Sequence, residues 1–422
     1  MLSDVRSRGA AQLLGWLAAA VALALIVRGS FPVDAGLDYF SDASAAIDAL
    51  ARGDLRGYFD QAPLMGPVSI LLRAPFVALV YHQSLTAVYF AGALPCVAAV
   101  VAVIVVLRRR MIALGRPQAA LTLVLVAGLL SPGVLRAIHW GHPEELLGAA
   151  LCVGAVLAAL RDRAVLAAIL LGLAIGTKQW AFVAGIPVLL AASRRQWLIV
   201  LVTGVVVGAL LAPGILMAPK AFVSVHEEVV AAPAVTGPAS VWWLVSSDRT
   251  AAERASVAPA FAYEMPAQLA ALTHPLIVLI TIPLGLLFWL LRRRDGRSDA
   301  LGLLALVLLL RCVLDPWNND YYHAPFLLAL LAWEAVGRSG WPRLTLFASA
   351  ALAVTFPAGA QTFSGLTAAG DALAIGYLAW AIPLAAWIAL SIYAPARAGA
   401  LTAALRARLT ARGGRDANVA RA

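Results

Sequence analysis

Apolar runs of roughly a dozen to two dozen residues recur along almost the whole chain, separated by short turns in which arginines cluster. That pattern decides the solvent. A helix crossing a hydrocarbon layer of ~30 Å needs about 20 apolar residues, and a soluble core has no room for so many such runs. Of 422 residues, 62% are hydrophobic and 13% charged, where a soluble domain carries about 25% charged residues. In lipid the backbone must satisfy its own polar groups, which leaves helices or a closed barrel. Barrel strands alternate polar and apolar over ~10 residues, whereas these runs are apolar all round. The expected fold is an all-α, polytopic integral-membrane bundle, one multi-pass domain over 1–422. The first run, "AAQLLGWLAAAVALALIVRGS", is long for the apolar core of a signal peptide. No small-x-small site follows it, so it is read as a retained first helix.

Charge orients the bundle. Seven clusters hold 22 of the 32 Lys and Arg: Arg6/Arg8, Arg108–Arg110 with Arg116, Arg161/Arg163, Arg194/Arg195, Arg292–Arg294 with Arg297, Arg338/Arg343, and Arg397 onward. Basic turns stay cytoplasmic. Seven inner clusters leave six hairpins, hence about twelve crossings of the plasma membrane with both termini inside. Sixteen of the 22 acidic residues fall outside the clusters. The net charge of +10 is therefore a topology signal rather than a nucleic-acid surface, and the basic tail 396–422 faces anionic lipid. Cys96, Cys152 and Cys312 stand singly in apolar runs and read as core. There is no Walker-type loop and no G-x-S-x-G, which argues against a nucleotide-driven pump.

The outer segments follow: 29–83, 136–146, a pinch at Lys178, 218–273, 315–323 and 361–372. Two of them are long, which marks a working outer face. In the first, "SDASAAIDALARGD" sets Ala43, Ala46, Ile47 and Leu50 on one helical stripe, with Ser41 as a cap and Gly53 as a stop, and reads as a helix on the outer interface. "AVLAAILLGLAIG" and "AFVAGIPVLLAA" are each too short to cross and meet at "TKQW". Short helices meeting at a lysine imply a cavity entering from outside.

Polar residues converge there from four stretches: Asp38 and Asp42; Arg136, His139, His142, Glu144 and Glu145; Lys178; and "LDPWNNDYYHAPF", with Asp315, Asn318, Asn319, Asp320, Tyr322 and His323. Arg311 lies one turn earlier. Each has a structural alternative: caps for the aspartates, an interfacial belt for the histidines and aromatics, a helix dipole for Glu144, snorkelling for Arg73 and Arg136. Together they suit group transfer. A carboxylate, Asp38 or Asp42, can take a proton from a hydroxyl. Lys178, Arg136, His142 and Arg311 can hold a phosphate and stabilise its charge as it leaves. His139, Glu144, Asn319, Asp320, Tyr322 and His323 can line a sugar or acceptor pocket. The donor would be a polyprenyl-phosphate sugar, with its tail between helices and its sugar outside, and the acceptor a lipid or glycan. No His/Cys/Asp set has zinc-site spacing.

Three segments carry a family resemblance: "LDYFSDASAAIDALARGDLRGYF", "APLMGPVSILLRAPF" and "GHPEELLGAALCVGAVLAALRDRAVLAAILLGLAIGTKQW". Over roughly 10–195 the chain resembles bacterial polyprenyl-phosphate-mannose-dependent mannosyltransferases of the glycosyltransferase-C superfamily. It departs where their usual Tyr-Pro-Pro is Met65-Gly66-Pro67. The resemblance implies that the first-loop aspartate, Asp38 with Asp42 as rival one turn on, is the base of an inverting single displacement. It names no required cofactor and leaves a divalent cation open. The alternative reading is a transporter or lipid flippase, for which Glu334 could serve as a proton relay. A non-catalytic membrane scaffold is the third.

Overall fold

The computed structural model describes residues 38–61, 65–230, 235–237, 239–248, 263–292, 296–337, 340–356 and 367–404. The first apolar run, the last outer segment up to 366 and the basic tail beyond 404 lie outside them. Three short helices open the described chain: α1 (Asp38–Asp42), α2 (Ser44–Ala51) and α3 (Leu55–Asp60). Then follow α4 (Pro67–Ala78), α5 (Leu85–Ala113), α6 (Gln118–Leu129), α7 (Pro132–His139), α8 (Pro143–Ala159), α9 (Ala164–Ile175), α10 (Gly185–Ala191), α11 (Gln196–Met217) and α12 (Pro219–Val230). After three two-residue strands come α13 (Ala267–Leu279), α14 (Thr281–Arg292), α15 (Ala300–Leu314), α16 (Ala324–Ala332), α17 (Arg343–Thr355) and α18 (Thr367–Tyr393). The strands pair antiparallel with Tyr263–Glu264 in the middle, against Val235–Thr236 and Ser247–Asp248.

Local chemistry sets the helix ends. Ser84 caps α5 by accepting from the Ala87 N–H at 3.3 Å, and Asp54 caps α3 through the Gly57 N–H at 2.8 Å. Gly53 stops α2 as expected, at φ +74°. The Gly53 and Asp54 N–H groups fold back to the carbonyls of Leu50 and Ala49 at 3.0 and 2.8 Å. Ser41 does not cap this helix. The chain breaks before Ser44, Ala43 holds the cap position, and Ser41 Oγ donates to Asp38 O and Asp42 Oδ1 at 3.0 and 2.6 Å. The apolar stripe of α2 is buried in protein, with α4 packed against the helix.

Helices α8, α15 and α16 form the middle and are buried almost throughout. By contrast, α11 buries only Ile199, as suits a helix whose outer face meets lipid. Among the described residues, five helices are long and apolar enough to cross a membrane: 85–113, 118–139, 196–217, 267–291 and 372–393. Charge alone gave about twelve crossings, a number that these five do not confirm. Shorter apolar helices, such as α4, α9 and α17 with 12, 12 and 13 residues, lie beside them, and the first apolar run is outside the described residues. The three cysteines are free and buried, as core packing requires.

Three of the arginine-bearing turns, near 162, 193 and 297, meet at one end. Arg297 donates to Ala191 O and Ala159 O at 2.8 and 3.2 Å and pairs with Asp162 at 2.7 Å. Asp162 also accepts from Ser193 N and Oγ at 3.1 and 2.7 Å. The end of α8, the end of α10 and the start of α15 are thereby tied together, and the other ends of α8 and α15 point away from this knot. Glu334 is no relay. It sits in a π turn after α16 and accepts from the N–H groups of Leu344 and Thr345 at 2.8 and 2.9 Å and from Thr345 Oγ1 at 2.8 Å. It caps α17, whose own cap residue is Pro342. Glu334→Ala should therefore destabilise the detergent-solubilised protein by about 2–4 kcal/mol, through the buried groups left without partners. It should leave turnover per folded molecule unchanged, as read by thermal unfolding beside activity.

Candidate active site

The site begins with a helix stop. Helix α7 ends at Gly141, φ +89°, with the His142 N–H returning to Ala137 O at 2.8 Å. Only glycine takes that conformation without strain, and a Cβ here would lie 2.6 Å from the Tyr39 backbone nitrogen. So Gly141 lets α1 come close enough to bring Asp38 against His142. Pro143 then starts α8, and Glu144 and Glu145 fill its first turn, where the helix dipole favours carboxylates.

A second turn lies beside it. Helix α9 stops at Gly176, Lys178 is extended, and a 3-10 helix, Gln179–Ala184, follows. The Gly66 and Val68 N–H groups donate to the carbonyls of Thr177 and Gly176 at 3.2 and 3.0 Å. The start of α4 is thereby fixed to this turn, and with it Arg73.

Charged groups form a continuous chain from these parts. Asp38 Oδ2 lies 2.9 Å from His142 Nε2, and His142 Nδ1 lies 2.9 Å from Glu144 Oε1. Lys178 Nζ is 3.1 Å from Glu144 Oε1 and 3.9 Å from Glu145 Oε1. Arg73 Nη1 is 3.6 Å from Glu144 Oε2, with both side chains fully buried. Glu145 accepts from Trp180 Nε1 at 3.1 Å and faces Arg311 Nη1 at 3.5 Å. The Arg311 guanidinium lies over the rings of Trp180 and Tyr322, at 4.7 and 4.6 Å. Exposure grades along the chain: the Asp38 side chain is 48% exposed, Lys178 21% and Glu144 not at all. The mouth of the site is thus at Asp38 and Lys178.

The wall is the turn from Leu314 to His323. Asp315 starts it by accepting from the Trp317 N–H at 2.9 Å. The long loop docks on it: Trp242 Nε1 donates to Leu314 O at 2.6 Å, Asn318 Nδ2 to Ala239 O at 2.6 Å, and the Gly237 N–H to Pro316 O at 3.1 Å. Tyr321 stacks on His142, with centroids 4.3 Å apart at 17°. Asp320 pairs with Arg136 Nε at 3.1 Å. Burial pushes its carboxyl up to about 6 against the pull of Arg136.

The structure brings together Asp38, His142, Glu144, Lys178 and Arg311, with Tyr322 beneath the guanidinium and the Arg136–Asp320 pair alongside. Asp42 stands near Lys178, with Oδ1 accepting from Ser41. Asn319 Nδ2 is 3.4 Å from Tyr321 Oη. His139 is half-buried with its ring against Trp140. His323 is drawn away: its ring is fully buried among Phe356, Tyr377 and Trp380, and Nε2 is 3.0 Å from Tyr377 Oη. Arg73, for which the sequence offered headgroup snorkelling as a structural alternative, is at the centre, with Nε donating to Gly92 O at 3.2 Å and the guanidinium 4.5 Å above Tyr39. Glu145, Trp180 and Tyr321 also belong to the cluster. Among the described residues no three His, Cys, Asp or Glu side chains are grouped to hold a metal; Asp38, Glu144 and Glu145 each face basic side chains instead.

A buried cluster of ion pairs open at one aspartate, set in a bundle of apolar helices, accords with the comparison of sequence families. The model of glycosyltransferase family 87 matches residues 64–316. The chain belongs to that family. No curated protein matches it. The match takes in Arg73, Glu144, Glu145, Lys178 and Arg311 of this family 87 glycosyltransferase, and begins after Asp38. A membrane-embedded transferase of this kind uses a sugar donor and an acceptor. Gly141→Ala should lower its melting temperature and abolish transfer, by straining the αL turn and parting Asp38 from His142. Gly185→Ala, with open space around the added methyl, should change neither.

Proposed function

We propose that this family 87 enzyme moves a sugar, mannose in the first instance, from a polyprenyl-phosphate donor to a lipid or glycan acceptor at the outer face of the plasma membrane. The observation that carries the reading is the half-exposed Asp38 at the open end of an otherwise buried chain of charges. Asp38 Oδ2 is taken by His142, and Oδ1 is unpartnered among the described residues, so it can accept a proton.

In the transfer, Oδ1 takes the acceptor hydroxyl proton. The freed electron pair forms the bond from that oxygen to the anomeric carbon, and the bond from that carbon to the phosphate oxygen breaks with its pair on the phosphate. The phosphate needs a cation. Arg73, Lys178 and Arg311 face Glu144 and Glu145, with Asp42 also near Lys178 and Asp315 near Arg311, so a phosphate would be met by whichever of these cations is exposed at the mouth. Lys178 reaches solvent and is the contact we assign, with Arg311 and Arg136 at its sides. Both nitrogens of His142 are already engaged by carboxylates. Asn319, Asp320 and Tyr322, on the turn opposite, are the residues we assign to the sugar or acceptor.

Depth supports a lipid donor. Helix α9 is 12 residues long, about 18 Å at 1.5 Å per residue. With the arginine-rich turns at the inner interface, Lys178 lies within a hydrocarbon layer of ~30 Å. On this reading the shorter helices are also embedded, which restores about twelve passes.

Purified protein given polyprenyl-phosphate mannose and candidate acceptors should form product, and Asp38→Asn should lower kcat by roughly 10²–10⁴-fold while staying folded. Asp42→Asn should retain most turnover. Equal loss in both variants would leave the base unassigned, and normal turnover by Asp38→Asn would remove it.

A further inference from the structure

His142 has a carboxylate on each side. Nε2 lies 2.9 Å from Asp38 Oδ2 and Nδ1 lies 2.9 Å from Glu144 Oε1. A neutral imidazole offers one N–H and one lone pair, and a lone pair aimed at a carboxylate oxygen at this distance is repulsive. Both contacts are hydrogen bonds when the ring is protonated on both nitrogens. Two more cations, Lys178 and Arg73, sit on Glu144, so the proton belongs on the ring rather than on that carboxyl. The ring itself is 7% exposed and stacked on Tyr321, which fixes its plane.

We propose that His142 is a fixed imidazolium, a positioning residue that pins Asp38 Oδ2 and leaves Oδ1 to the acceptor hydroxyl, with Glu144 and Arg73 acting through it. The inference rests on Asp38 being the base. It gives His142 a different part from a phosphate ligand and from a proton shuttle. In a Ser-His-Asp triad the histidine is neutral at rest and accepts the proton. Here the order is inverted: the carboxylate at the mouth is the acceptor, and the histidine behind it has no free lone pair. The acceptor proton stays on Asp38 and leaves through its exposed edge.

The groups facing the ring are Asp38 from α1, Glu144 from α8, Lys178 from the turn after α9, and Tyr321 from the wall. Burial alone would lower the imidazole. The Glu144 charge and the hydrogen bonds to Asp38 and Glu144 outweigh it, against an opposing push from Lys178, and carry it up to about 9. Its ordinary value is about 6.5. The stabilisation from this arrangement is therefore complete below about pH 6.5 and is lost as pH rises through about 9.

The test is nitrogen NMR on protein labelled with ¹⁵N-histidine in nanodiscs. The chain has six histidines, and His142→Gln identifies the signal. The expected result is a ring protonated on both nitrogens at neutral pH that titrates near 9. A single-tautomer ring at neutral pH, or titration at or below the ordinary value, overturns the proposal. In Glu144→Gln the same signal should titrate at clearly lower pH; an unmoved titration also counts against it. If that variant does not fold, the wild-type titration decides alone. With donor and acceptor present, His142→Gln should lower kcat by about 10²-fold with the donor KM within about threefold. A large rise in donor KM at unchanged kcat would instead mark a phosphate ligand and sink the positioning role. The NMR result needs no substrate: an imidazolium in a protein that turns over no sugar donor would leave the charge state standing and bring down the transfer reading.

Discussion

Much of the bundle end that lies away from the Arg297–Asp162 knot depends on one carboxylate. Glu144 has no exposure, and an ionised carboxylate out of water costs several kcal/mol unless cations replace the lost hydration. Three basic side chains do so, and they come from separate pieces of chain: Arg73 from α4, His142 from the turn before α8, and Lys178 from the turn after α9. Each therefore holds its segment to the others. The backbone repeats the constraint, because the N–H groups of Gly66 and Val68 bond to the very turn that carries Lys178. Removing any one partner would shift the charge balance in the core, with the other two cations still on Glu144, so the segments are coupled through it.

The Met65-Gly66-Pro67 departure noted in the sequence now has a physical account. A proline at 66 would have no N–H for Thr177 O, and even an alanine Cβ would fall 2.3 Å from the Gly176 carbonyl oxygen. Glycine permits both the bond and the approach. Met65 is buried beneath Arg73, with Sδ 3.5 Å from Nη1. In this chain the segment works as a strut for Arg73.

What could be read from the sequence was mostly what lies in turns. "GHPEELL" announces a glycine stop, a proline start and two carboxylates at a helix N-terminus, and all three are realised. "TKQW" between two short apolar runs marked a turn, which falls between α9 and a 3-10 helix, and Asp315 before Pro316 gave the start of the wall. Membership in family 87 agrees with the transferase reading at the level of glycosyl transfer. Illegible residues were those whose partners are distant in sequence. Arg73 sits in "SILLRAPF", which reads equally as a snorkelling arginine; only the fold shows Glu144 beside it. Glu145 differs from Glu144 in nothing local, yet it alone faces Arg311. His323 looks like a site residue because it follows "DYY", but one further residue along a tight 3-10 turn rotates its ring to Tyr377 and the core. The capping task of Glu334 was hidden for a similar reason, since the helix end it caps starts nine residues later. Crossing number was the weakest inference, because charge counts hairpins while helix length counts only uninterrupted spans.

The two ends of the bundle also differ in the kind of electrostatics they use. At the arginine-rich end Arg297 and Asp162 are about one-third and one-half exposed, and water screens their attraction. They tie turns together without creating a field. At the other end the pairs are dry, and at low effective dielectric the same charges act strongly on anything brought among them. A reaction that moves a proton and releases a phosphate gains from such a place, where dipoles and charges are already oriented before substrate arrives. The fold buries these pairs between α4, α8, α15 and the turn after α9, and among the charged groups of this cluster Asp38 and Lys178 keep the most exposure. Short helices, unfavourable in a plain anchor, here let the turns that carry Lys178 and His142 meet Glu144 inside the bundle.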